Sequence, residues 1–272
     1  MNNPSINPLG IELLTVLGMN PVDHVSLAAD LGCSGVSMGL TQLPFNPHAY
    51  PAWSLAGDPA LRREMKAAMR DRGVAINIGE GMIVRPGSDA ASRAAELDIF
   101  AELGALRINS VAMGCELPDI YDQLAIMADM AAERGMGFCI EFCPVFPVDS
   151  LKACLKLVDH IGRDKAQVLI DAMHHFRSGG NVEEVAALDP AQIAHVQLCD
   201  APLAPADDYL KEATFGRMVP GTGELPLRAF VDALPRDVTL GLEVPLMAVA
   251  ETGRPARDYV GEIVASTRAL LG

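Results

Sequence analysis

Residues 136–172, MGFCIEFCPVFPVDSLKACLKLVDHIGRDKAQVLIDA, hold two short apolar runs, MGFCIEF (136–142) and AQVLIDA (166–172), on either side of a segment whose apolar residues recur at helical spacing. Such runs are the length of buried strands, and Leu151, Cys154, Leu157, Val158 and Ile161 line one face of a helix over 149–162. The same unit repeats outward in both directions. Strands are predicted at GIELLTV (10–16), GVSMGL (35–40), VAINIG (74–79), RINSVAMG (107–114), IAHVQLC (193–199) and VTLGLEV (238–244) as well. Helices are predicted at 21–31, 59–72, 88–104, 118–134, 182–188, 226–234 and 255–270, with Asn20-Pro21 and Asp58-Pro59 as starts. Strict strand–helix alternation implies parallel strands joined by helical crossovers, and eight units in 272 residues fit a single (β/α)8 TIM barrel spanning 1–272. A doubly wound sheet would carry GxGxxG after its first strand; VLGMNP does not supply it.

Two connections exceed what a tight turn needs, 41–57 (TQLPFNPHAYPAWSLAG) and 200–225 (DAPLAPADDYLKEATFGRMVPGTGEL). In a barrel both lie at the C-terminal ends of the strands, where active sites are built. The first holds Phe45, His48, Tyr50 and Trp53, either as a cover for the barrel mouth or as a surface loop held by its own aromatics.

A formal net charge of −14 repels phosphate backbones and anionic headgroups, which argues against nucleic-acid and membrane partners and for a small molecule. The six cysteines lie among apolar neighbours without a CxxC pair and read as reduced, buried thiols. MNNPSINPLG lacks the basic and apolar regions of a signal peptide, so a cytoplasmic location is expected. A homo-oligomer is compatible with these features.

Polar residues inside the later apolar strands are the chemical signal. Glu141 in FCIEFCP, Asp171 in VLIDAMHH, Gln197 in AHVQLCD and Glu243 in LGLEVP all fall near the C-terminal ends of strands five to eight. A buried carboxylate costs several kcal/mol unless paired or bound to a cation. No set of lysines or arginines adjoins these residues in the sequence, so one divalent metal ion is the simplest neutraliser; hydrated rim residues are the alternative.

These segments, with Asp171-Ala-Met-His174, HVQLCD and the R-x-x-P-G-x-G-E stretch from Arg217 to Glu224, resemble the xylose isomerase-like barrels. That family includes sugar phosphate isomerases and epimerases, inosose and 3-dehydroshikimate dehydratases, and apurinic endonucleases. The resemblance implies that Glu141, Asp171, Gln197 and Glu243 bind one divalent cation and that Glu141 and Glu243 act as the acid/base pair. It also implies that His174 and Arg217 contact the substrate. Glu80, at the end of the third strand, is a further candidate substrate contact. Most epimerases of the family carry histidine where this chain has Gln197, and an all-oxygen shell points to Mn or Mg ahead of Co or Zn. The endonucleases need histidines at the third and fourth strand ends, and NIGEGM and VAMGCE have none.

A metal flanked by two carboxylates suits proton transfer beside a carbonyl. The expected activity is therefore isomerisation or epimerisation of a small polyhydroxylated carbonyl compound through an enediolate. A dehydratase (lyase) outcome shares the first step, and a catalytically silent binding barrel is the alternative from another class.

Overall fold

In the computed structural model the described residues are 7–272, so the segment 1–6 of the N-terminal stretch read above lies outside the described residues. Eight parallel strands close in sequence order into one barrel: β1 (Leu9–Ile11), β2 (Gly35–Met38), β3 (Ala75–Val84), β4 (Arg107–Ala112), β5 (Gly137–Glu141), β6 (Gln167–Asp171), β7 (Ile193–Leu198) and β8 (Leu240–Leu242). The helix Leu151–Ile161 shows why the crossovers form. Ser150 caps its first turn by accepting from the Ala153 N–H, and Leu151, Cys154, Leu157 and Val158 are its buried face. No helix among the described residues is long and apolar enough to cross a membrane.

Among the departures from the expected strand ends, three have a clear physical cause. β1 stops at Ile11 because residues Leu13–Val16 turn into a 3-10 helix. Thr15 of that turn accepts from the Val244 N–H and donates to the Leu242 carbonyl, both at 2.7 Å, and so replaces the ladder that would have carried β8 to residue 244. Glu243 therefore follows β8 instead of lying within it. β3 runs past its expected end at residue 79 to Val84, with its pairing to β4 shifting between Gly79 and Met82. Gly81, at φ 95°, makes the bulge possible and leaves Glu80 inside the strand.

Three short helices, Ala172–Arg177, Tyr209–Phe215 and Met247–Ala250, were not expected; each is shorter than the window over which helical periodicity can be read.

Strand alternation layers the barrel interior. Cys139, Leu169 and Ile78 each lie two residues before Glu141, Asp171 and Glu80, and with Ala194 they form a buried apolar cluster separate from the main core. On the other side the layer is polar: His195, two residues before Gln197, meets Glu12 of the β1 end at 2.9 Å, both side chains 1% exposed. Gly241 of β8 leaves the space for this pair, since a Cβ there would lie 1.6 Å from Glu12 Oε1.

Candidate acid/base and metal site

The last residues of β5 to β8 meet at one mouth because pairing sets Asp171 opposite Gln197 and Gln197 opposite Gly241, two residues before Glu243. Asn109 on β4 extends the set by donating to Glu141 Oε2 at 2.9 Å and to Glu80 Oε2 at 3.2 Å. Asp171 ends its strand and caps the helix that follows, its Oδ1 accepting the His174 backbone N–H at 2.8 Å. That cap aims the His174 ring back into the mouth, with Nε2 3.6 Å from Glu141 Oε1.

Arg217 corrects the expectation that no protein cation adjoins these carboxylates. The guanidinium is buried and binds Asp171 Oδ2 through Nη1 and Glu243 Oε2 through Nη2, the latter at 2.8 Å. It sits 46 residues from Asp171 in sequence, a distance at which adjacency carries no information. Its Nε donates to the Ala213 carbonyl at 2.7 Å, which fixes the plane of the fork. The connection 200–225 is thus part of the site. Asp200 holds it in shape by accepting four backbone N–H groups, from Ala201, Gly221, Gly223 and Leu225.

All four residues expected as metal ligands reach this mouth, but not as one equal set. Glu141 and Asp171 group with His174, one potential ligand atom from each lying within 4.8 Å of the others. Gln197 instead donates through Nε2 to Glu243 Oε1 at 3.1 Å.

The environment divides the carboxyls into two kinds. Burial, reinforced by the charge on Asp171, raises Glu141 to about 7, with Asn109 and Arg217 opposing. Burial also holds Glu243 well above the usual range against the pull of Arg217, and it does the same to Glu80 with help from Glu141 and Glu12. Asp171 is the exception: burial pushes it upward, yet Arg217 and His174 bring it below the ordinary value. Desolvation lowers His174 to about 4 and leaves the ring neutral. Asp171 is thus set apart from Glu141, Glu243 and Glu80 by the direction of its shift, the kind of separation that acid/base catalysis uses.

The donor set fits a hard divalent cation. With Glu141, Asp171 and Glu243 ionised, three negative charges against the one of Arg217 leave a balance of two, the charge of one such ion. Gln197 Oε1 is buried with no hydrogen-bond donor, an acceptor that a cation would satisfy. The nearby thiols do not compete: burial raises both Cys143 and Cys199 to about 12.

Sequence reading missed Glu12, His195, Asn109 and Tyr209. Glu12 carried the signal used for the later strands, a carboxylate inside the apolar run GIELLTV, and went unread. Tyr209 lies in a helix too short to be anticipated, and its hydroxyl is 2.6 Å from His174 Nδ1.

The loop 41–57 is anchored to neighbouring parts of the barrel. Trp53 Nε1 and Gln42 Nε2 both donate to the Gly18 carbonyl, and His48 Nε2 lies 3.2 Å from the Tyr259 hydroxyl. Phe45 meets Phe215 edge to face at 5.0 Å. This contact borders a cavity of about 1020 Å³, which none of the acid/base residues lines; the helix Tyr209–Phe215 gives Lys211 and Phe215 to that cavity and Tyr209 to the site.

Residues 25–265 match the model of the xylose isomerase-like TIM barrel family. A putative hydroxypyruvate isomerase of Streptomyces coelicolor is 28% identical over 66% of this chain and 72% of its own length. An inosose isomerase of Bacillus velezensis is 26% identical over 41% of this chain and 39% of its own length. The crystal structure of IolI protein with a bound zinc atom superposes with a TM-score of 0.79 at 14% identity, covering 97% of this chain and 98% of that one. With a closed eight-stranded barrel and a family match over most of its length, this chain belongs to the xylose isomerase-like TIM barrels.

Proposed function

We propose that the chain is an isomerase or epimerase of a small polyhydroxylated carbonyl compound and works with one divalent cation. The observation that carries this reading is the gathering of buried carboxyls at one mouth, where Arg217 bridges Asp171 and Glu243 and a Glu141 oxygen lies within 4.8 Å of an Asp171 oxygen. Glu141, Asp171, Gln197 and Glu243 are the residues that would hold the cation, which when bound would supply Lewis-acid polarisation of a carbonyl.

The chain's own residues account for the remaining chemistry. One of the two glutamates removes the proton from the carbon beside the substrate carbonyl, and the other returns a proton to the opposite face or to the neighbouring carbon. Burial holds both above the ordinary carboxylate range, which strengthens their hold on that proton. Asp171, held below the ordinary range, keeps Arg217 in place, and the guanidinium is a fixed positive charge of the chain at the same mouth. His174, neutral, offers a hydrogen bond rather than a proton. The side chains of Glu141 and Glu243 are 12% exposed, so little water competes for the proton in transit.

Names of relatives guide the choice of substrates. The chain, supplied with Mn or Mg, is incubated in D2O with hydroxypyruvate, with an inosose and with a panel of ketoses, and followed by NMR. Deuterium appearing at the carbon beside the carbonyl, with an isomer or epimer as product, is the expected result. An alkene product would convert the assignment to a lyase. No exchange with any compound in metal-loaded protein would refute the enzymatic reading in favour of a silent binding barrel.

A further inference from the structure

The ring of His174 has two distinct neighbours. Nδ1 lies 2.6 Å from the Tyr209 hydroxyl, and Nε2 lies 3.6 Å from Glu141 Oε1. A neutral imidazole carries one proton, so one nitrogen donates and the other accepts. If Nδ1 held the proton, the Tyr209 hydroxyl would accept it and its own hydrogen would have no acceptor, since among the described residues Tyr209 makes no other side-chain hydrogen bond. In that arrangement the Nε2 lone pair would also face a carboxylate oxygen. With the proton on Nε2 both conflicts vanish. The phenol then donates to Nδ1, and Nε2–H points at an acceptor.

We propose that Tyr209 is a positioning residue that fixes the tautomer of His174, holding its proton on Nε2 toward Glu141 and the reacting centre. Burial keeps the phenol protonated by raising it above its ordinary value, so it remains a donor. The ring is clamped as well as bonded. Arg177, from the same helix as His174, lies over the Tyr209 ring at 6.0 Å and pairs with Glu212 at 3.1 Å. The side chains of this ion pair are 2% and 11% exposed, and the pair ties the helix Tyr209–Phe215 to the helix Ala172–Arg177. The carbonyl of Ala213, in the same seven-residue helix, holds Arg217 Nε. One short segment therefore orients both His174 and Arg217.

The use of this donor in turnover rests on the isomerase reading; the tautomer itself does not. It is read from the ring 15N resonances of the full chain in chelating buffer, with His174→Gln identifying the His174 signals among the six histidines. The expected wild-type pattern is a protonated-type Nε2 with an unprotonated-type Nδ1. In Tyr209→Phe the proton should shift toward Nδ1, drawn by Asp171 Oδ1 at 3.8 Å. A protonated Nδ1 in the wild type overturns the proposal. So does an unchanged pattern in a folded Tyr209→Phe protein, which would leave Tyr209 a packing role alone. The wild-type spectrum is a sufficient test by itself if the variant does not fold, and because no substrate is added, its outcome is separate from that of any activity assay.

Discussion

Replacing Gly241 with alanine should break a hydrogen-bonded pair that neither residue's sequence neighbours reveal. The added Cβ would lie 1.6 Å from Glu12 Oε1 and 2.6 Å from His195 Nε2, closer than any real contact. The backbone cannot yield, because residue 241 is paired on both sides, to Gln197 of β7 and Gly10 of β1. The Glu12 carboxylate must move instead, and at 1% exposure no water is available to replace its partner. Leaving a buried hydrogen-bonding group without its partner costs about 1–3 kcal/mol, and the severity of this overlap puts the expected loss at the upper end, about 3 kcal/mol. In a Glu12→Ala background the nearer obstruction is gone and only the His195 ring, at 2.6 Å, must give, so the same Gly241→Ala change should cost only about 1 kcal/mol. The coupling of about 2 kcal/mol is measured from urea unfolding of the four proteins of the double-mutant cycle, with m-values checked for constancy. Equal costs of Gly241→Ala in the two backgrounds, within about 0.5 kcal/mol, would refute the reasoning.

Three further outcomes follow from the same structure. Burial lowers His24 to about 4 from 6.5, against the opposing hydrogen bond to Ile11 and the charge of Glu12. Because the folded value is the depressed one, its contribution is present above pH 6.5 and is lost as pH falls toward 4, a total of about 3 kcal/mol. His24→Gln should flatten that part of the stability profile, and parallel wild-type and variant profiles would rule the group out. Glu243→Gln keeps an oxygen and should retain the metal by direct metal analysis while turnover falls roughly 10²- to 10⁴-fold; undiminished turnover would move the proton elsewhere. Gln197→His should shift preference from Mn or Mg toward Zn or Co in metal competition, and an unchanged preference would remove Gln197 from the ligand set.

Much of this molecule was legible in one dimension. Strand and helix periodicity depends on neighbours a few residues apart, so the eight units and their order could be counted directly from the chain. The later acidic residues were legible for a related reason: Glu141 in FCIEFCP and Asp171 in VLIDAMHH are conspicuous because a charge inside an apolar strand is costly without a partner. The same rule applies to Glu12 in GIELLTV, which was not singled out from the sequence. Strand ends were less legible: β8 stops where the Thr15 hydroxyl, 229 residues from Val244, takes over its ladder, and no local pattern encodes that substitution.

Tertiary structure alone decided who partners whom. From sequence, the carboxylates lacked a protein cation, and the closed barrel delivers Arg217 to Asp171 and Glu243 from the long connection 200–225, whose sequence does not say which side chains it reaches. Tyr209 reaches His174 across 35 residues, and Glu12 reaches His195 across 183, over a glycine whose missing Cβ makes the contact possible. The physical reason is one of range. Periodicity and desolvation cost are properties of a residue and its near neighbours, whereas neutralisation, proton placement and the sorting of pKa values depend on groups brought within a few ångströms by barrel closure.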